Sequence, residues 1–232
     1  MTVASRYWTL TELIDKVRED LDLQEETFVS DNELTTSCNE AIDRLEQEVH
    51  ALYEDYFLTP IVLTLTSGVE RYPLPDGIYA HKIRRVLYIN GSRVYTVHRL
   101  GDWKKFEVKA IQNINNTSTL YSYFLVNQFV GVPELAFIPV PIDTGPVITI
   151  WYLRQANRLE IGSDILDIPE AANYVLQYMK TRVYEKEHNP MLQKAMSDIE
   201  KERELFVGIL AAMIPDAENN IEPDFTFYEE MS

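Results

Sequence analysis

The apolar residues of this 232-residue chain keep a helical period as far as Tyr56, switch to strand-like patterning at Pro60, and return to a helical period after Asp164. A chain that changes period twice reads as two helices, a β block, and two more helices. The first helix opens on Thr9-Leu10-Thr11-Glu12, a capping box in which the threonine and the glutamate satisfy each other's free backbone donors; Trp8 and Leu13 are spaced for a hydrophobic staple around it. Leu10, Leu13, Ile14, Val17 and Leu21 form its stripe. Ser30-Asp31-Asn32-Glu33 opens a longer helix by the same logic, with a stripe running from Leu34 through Cys38, Ala41, Ile42, Leu45 and Val49 to Tyr56.

The β block begins with Ile61 to Thr66, bounded by Ser67-Gly68. Tyr72-Pro73-Leu74-Pro75 carries two prolines, which confine it to a sheet edge or an extended loop. Ile83 to Ile89 and Arg93 to His98 flank Asn90-Gly91, a strong hairpin signal. Gly101 to Phe106 has the pattern of a helical turn, and the Asn/Ser/Thr-rich stretch around Asn113 to Thr119 reads as a loop. Leu120 to Val126, Glu134 to Val140 and Val147 to Leu153 complete about six strands. Pro169 then suits the first turn of a third helix, with stripe Ala172, Val175, Leu176, Met179 and Val183 and with Tyr174 and Tyr178 at its border. Asn189-Pro190 ends that helix, and Leu192, Met196, Ile199, Phe206, Ile209 and Leu210 mark a fourth. The expected fold is α+β. A four-helix bundle (1–59 and 164–214) carries an inserted antiparallel β-sandwich or small barrel (60–163) and an extended tail (215–232).

Charge follows the same division. Residues 1–60 carry 4 Lys/Arg against 15 Asp/Glu, residues 61–160 carry 11 against 7, and residues 161–232 carry 6 against 15, giving a formal net charge of −16. Gripping a nucleic-acid backbone needs clustered cations, and only the middle block offers them, at Lys82, Arg84 and Arg85 or at Lys104 and Lys105. Direct DNA binding as the main task is therefore disfavoured. Lys82, Arg84 and Arg85 sit on one strand, with Lys82 and Arg84 on the same face by period two, and the three suit a solvated sheet face or contact with an acidic surface of a neighbouring subunit or tail component. The single cysteine excludes an intramolecular disulfide framework and a multi-thiolate metal site. The first residues lack the apolar core of a signal peptide, and no apolar run approaches the ~18 residues of a spanning helix, so the chain reads as soluble and intracellular when made, with no membrane partner.

Catalytic signatures are absent from the sequence. Glu185-Lys186-Glu187-His188 holds one Glu-x-x-His pair, whereas a di-iron bundle needs two such pairs plus a glutamate from each of two other helices. His50, His81 and His98 stand in no metal-ligand spacing, Cys38 sits on an apolar stripe, and the eight glycines never gather into a phosphate-binding loop. The chain is read as a non-enzyme with no catalytic residues, no metal site and no cofactor. The tail is acidic and without period, yet Ile221, Pro223, Phe225, Phe227 and Tyr228 make it apolar enough to order against a partner.

The order of these elements resembles the head-to-tail adaptors of short-tailed phages, the connector or neck proteins that include the tail tubular protein A family. The resemblance is carried by Leu13-Ile14, by Asp31-Asn32-Glu33-Leu34 leading to Asn39-Glu40-Ala41, and by Tyr56-Phe57. It continues through Gly68 to Pro75, Leu135 to Pro141, Ile148 to Tyr152, and Asp164 to Pro169. It implies a virion protein that assembles as a homo-oligomeric, dodecameric ring between the portal protein and the tail nozzle or tail tubular protein. DNA would pass through its channel without specific binding, and the protein would reside in the host cytoplasm during assembly. It also implies a tail, with Ile221, Pro223, Phe225, Phe227 and Tyr228, that reaches the portal or a neighbouring subunit. Two other classes stand beside it: a metal-dependent bundle enzyme using Glu185 and His188, and an acidic module that binds a host protein.

Overall fold

The computed structural model describes residues 7–23, 28–101, 121–126 and 132–213. The fold is mixed α+β, with four α-helices and two four-stranded sheets among the described residues. It divides into two compact units, one built from the residues up to Tyr53 and from Asn157 onward, the other from Glu54–Ala156.

In the helical unit, α1 (Leu10–Asp20) and α2 (Asp31–Leu52) both begin with complete capping boxes, Thr9 with Glu12 and Ser30 with Glu33. Each cap satisfies two donors that a helix end would otherwise leave open. Pro169–Ala171 is a 3₁₀ turn leading into α3 (Ala172–Glu187), and α4 (Leu192–Met213) follows the break at Asn189-Pro190. His188 caps α3 in the left-handed conformation, φ 53°. The unit is organised around α3, which packs on α1, α2 and α4. Its buried residues include Tyr174, Tyr178 and Thr181 as well as the expected aliphatic stripe. A helix buried on most of its circumference belongs at the centre of its unit. The tyrosines expected at the border are therefore core residues, and the Thr181 hydroxyl is satisfied by donating to the Gln177 carbonyl at 2.8 Å. Before α1, Thr9 bridges Ile165 and the Leu10 amide donates to the Asp164 carbonyl at 2.9 Å. Here the backbones come so close that a Cβ on Gly162 would run into the Thr11 hydroxyl.

The β unit opens with a 3₁₀ turn, Glu54–Phe57, and its described residues form eight strands where about six were expected: β1 (Leu58–Thr64), β2 (Arg71–Pro73), β3 (Ile78–Asn90), β4 (Arg93–Thr96), β5 (His98–Arg99), β6 (Ser122–Val126), β7 (Glu134–Ile138) and β8 (Val147–Arg154). They form two sheets in the orders β1-β8-β3-β4 and β2-β7-β6-β5. The Asn90-Gly91 hairpin is present, with Gly91 at φ 58°. Strand β2, with its proline, lies at a sheet edge as expected. Both sheets contribute to one core, which includes Leu65, Val86, Leu125, Leu135, Phe137, Ile148 and Ile150. The Tyr72 hydroxyl accepts from the Thr66 amide at 2.9 Å, so the Tyr-x-Leu-Pro segment pins the preceding turn while Tyr72 and Leu74 enter the core.

Two expectations need correction. Among the described residues no barrel is closed: the strands form two separate four-stranded sheets. The insert is also not wholly antiparallel: β5 runs parallel to β6, pairing His98 with Ser122 and Arg99 with Tyr123. A parallel pair needs a long crossover, and residues 100–121 supply enough chain for one. The expected helical turn at Gly101 to Phe106 and the Asn113 to Thr119 loop fall outside the described residues, apart from Gly101.

Phe137→Ala should destabilise the β unit by about 3–5 kcal/mol, the cost of removing a fully buried aromatic ring. Ser30→Ala should weaken α2 by ~1 kcal/mol. Amide hydrogen exchange followed by mass spectrometry should find faster exchange in β6 and β7 for the first variant and at the start of α2 for the second.

Candidate interaction surfaces

Of the segments that carry the resemblance, Asp31 to Leu34 and Asn39 to Ala41 reach distant parts of the helical unit through polar clasps. Asn39 uses both ends of its amide on one backbone residue: Nδ2 donates to the Leu159 carbonyl and Oδ1 accepts from the Leu159 amide, each at 2.9 Å. Glu40 accepts from the Arg182 guanidinium at 2.5 Å and from the Tyr178 hydroxyl at 3.1 Å, and Ala41 is fully buried beside them. Arg158 pairs with Asp43 at 2.6 Å, Lys180 with Asp20 at 2.5 Å, and Arg203 with Glu48. Glu33 both closes its capping box and accepts from Lys186 at 2.7 Å. Ion pairs of this exposure contribute modestly, but their geometry fixes the register of α2 on α3.

These contacts tune the carboxylates. The Lys186 ammonium, followed by the Ser30 amide and hydroxyl, holds the Glu33 carboxyl down at about 2, against an ordinary 4.5. Arg182, then Tyr178, lowers Glu40, and Lys180, then Lys16, lowers Asp20. Burial pushes the Cys38 thiol up to about 12, leaving it no reactive thiolate at neutral pH. Glu185 is held by Arg182 at 2.8 Å, and His188 is the left-handed cap of α3. Among the described residues, no group of three or more His, Cys, Asp or Glu side chains could hold a metal ion.

In the β unit, the strand cations are turned toward the unit's own acids. Lys82 binds Glu54 at 2.7 Å, and Arg84 binds Asp55 at 2.9 Å and also Glu54. Strand β3 is irregular here: Ala80 and His81 take positive φ values of 47° and 54°, and the register slips between Ile83 and Arg85. The slip inserts Arg84 as a bulge residue, so Arg84 and Arg85 are both exposed, where simple alternation would have turned one of them inward. Arg85 has no ion-pair partner among the described residues. The bulge had no signal in the sequence beyond an apolar alternation interrupted by two adjacent arginines.

Two apolar surfaces stay open. On α4, Leu205, Ile209 and Met213 are 62%, 43% and 40% exposed at a spacing of four. On the sheet β1-β8-β3-β4, the face turned away from the core carries Val62 and Val94, 62% and 58% exposed. The tail residues Ile221, Pro223, Phe225, Phe227 and Tyr228 lie outside the described residues. Of these α4 residues only Ile209 belongs to the apolar stripe that periodicity marks, Leu205 and Met213 standing outside it, and the sheet residues alternate as strand residues do.

Residues 8–214 match the family described as SU10 adaptor protein. The chain belongs to that family. No curated protein matches it. Membership agrees with the resemblance to phage head-to-tail adaptors and supports a structural, virion-component role, which in turn implies a non-enzyme. The family match spans both units and ends at Ile214, so the aromatic tail lies beyond it. No helix among the described residues is long and apolar enough to cross a membrane.

The depressed carboxylates set an acid limit for this adaptor. A group whose pKa is lower in the fold than in the unfolded chain stabilises above the unfolded value, and that contribution is lost as pH falls toward the folded value. For Glu33 the window runs from 4.5 down to about 2. The thermal midpoint should fall through this window, and Glu33→Gln should flatten part of the decline; circular dichroism melts across the range would check it.

Proposed function

We propose that this adaptor assembles as a dodecameric ring that joins the portal to the tail and surrounds the DNA exit channel. The observation that carries this reading is the family match across residues 8–214, which covers the helical unit and the β unit together. The architecture supports it. The helical unit and the β unit are separate compact units, which can offer separate surfaces to different partners. The charge supports it as well. A strongly acidic subunit, with the cations Lys82 and Arg84 engaged by its own carboxylates, lets DNA pass without holding it. In this reading the ring assembles in the host cytoplasm, Ile221, Pro223, Phe225, Phe227 and Tyr228 order against the portal or a neighbouring subunit, and the tail nozzle or tail tubular protein docks on the opposite side.

Mixing the purified chain with the portal protein of the same phage should give a complex with twelve adaptor copies by native mass spectrometry and a neck-like ring by electron microscopy. Failure to bind the portal would remove the reading. Truncation after Pro215 should lower portal affinity at least tenfold while the thermal transition stays in place; unchanged affinity would take the tail out of the contact.

A further inference from the structure

The outer face of the sheet β1-β8-β3-β4 is unusual for a solvent-facing surface. Cross-strand pairing places Val62, Thr149, Leu87 and Thr96 in one row and Thr64, Val147, Ile89 and Val94 in the next, with Pro60, Trp151 and Arg85 beyond them. None of these residues belongs to the shared core, whose side chains from the same strands are Val86, Tyr88, Ile148, Ile150 and Tyr152. Among these eleven positions the single charge is Arg85, which has no ion-pair partner among the described residues; Arg84, turned out beside it by the bulge, is held by Glu54 and Asp55. A sheet face this apolar is a docking surface rather than a solvated one.

Its occupant can be identified from the same chain. The helical unit carries 11 Lys/Arg against 29 Asp/Glu, a balance of −18, and the β unit 10 against 8, or +2. The exposed stripe of α4 is apolar at Leu205, Ile209 and Met213, and one turn earlier on the same side stands Glu202, which has no ion-pair partner among the described residues. An amphipathic helix laid on an apolar sheet is the commonest way to cover one. The spacings also correspond: Glu202 to Ile209 rises ~10.5 Å along a helix, and Arg85 to Ile89 ~13 Å along a strand.

We infer that the exposed face of β1-β8-β3-β4 receives the α4 stripe of a second copy of this chain, with Leu205 and Ile209 over Leu87 and Ile89 and with Glu202 paired to Arg85. The contact is heterologous, so each copy offers a helix to one neighbour and a sheet to the other, and repetition closes a ring or extends a filament. This contact rests on the ring reading above and specifies its subunit interface.

One helix on one sheet face falls at the small end of interface sizes, so the isolated pair should be weak. Disulfide trapping of the full chain at high concentration suits a weak contact. Val94→Cys and Ile209→Cys chains, mixed and mildly oxidised, should give a disulfide-linked heterodimer at least tenfold above either chain alone; buried Cys38 contributes none. Pairing Val94→Cys with Ile142→Cys, an exposed position elsewhere on the β unit, is the control for random collision. Adding Arg85→Glu to the Val94→Cys chain should lower the yield at least fivefold, and Glu202→Arg on the Ile209→Cys chain should restore it. A mixture no better than its control, or a charge reversal without effect and without rescue, would overturn the contact. If trapping fails while portal binding persists, the adaptor reading stands and only this interface is lost.

Discussion

Strand β1 lies antiparallel beside β8, with Leu58 facing Leu153 and Thr64 facing Val147, and the rest of the molecule depends on that pairing. The chain leaves its helical unit after Tyr53 and resumes it at Asn157. Closing a free loop of that length would cost on the order of 4 kcal/mol in chain entropy. The sheet meets that cost within its own ladder, holding the two ends of the excursion a strand's width apart. Clasps between residues more than a hundred positions apart then become local events. Asn39 on Leu159, Asp43 on Arg158 and Glu40 on Arg182 all form across the insertion. Disrupting β1 or β8 should therefore weaken the helical unit even though neither strand is part of it.

How much of this was legible follows from how local each determinant is. The capping boxes at Thr9 and Ser30, the Asn90-Gly91 hairpin and the break at Asn189-Pro190 are written in two to four consecutive residues, and all were readable. Boundaries that depend on a partner strand were not. β1 begins at Leu58 and runs through Pro60, which is tolerated because β1 is an edge strand among the described residues. The parallel pairing of β5 and the bulge at Arg84 are properties of two strands at once, and neither strand announces them alone. The burial of Tyr174 and Tyr178 shows the same limit. A helix packed on several sides loses the single stripe that periodicity detects.

The candidate surfaces divide in the same way. The motif residues Asn39, Glu40 and Glu33 were recognisable as a pattern, but their roles as backbone clasp, guanidinium acceptor and shared cap emerge only once α3 is in place. Lys82 and Arg84 were readable as a cationic pair, yet Glu54 and Asp55, the acids that engage them, lie nearly thirty residues away. Arg85 beside them has no ion-pair partner among the described residues.

Electrostatics then limits how copies of such a chain can meet. A two-fold contact between helical units would bring −18 against −18 within a Debye length of ~8 Å, and the short-range apolar gain would have to overcome that repulsion. A head-to-tail contact sets −18 against +2 instead. It also removes no internal ion pair, because Lys82 and Arg84 keep their own acids while Arg85 gains one. The charge division between the units thus favours an arrangement with direction over a symmetric pair, and a directed arrangement is the kind from which rings are built.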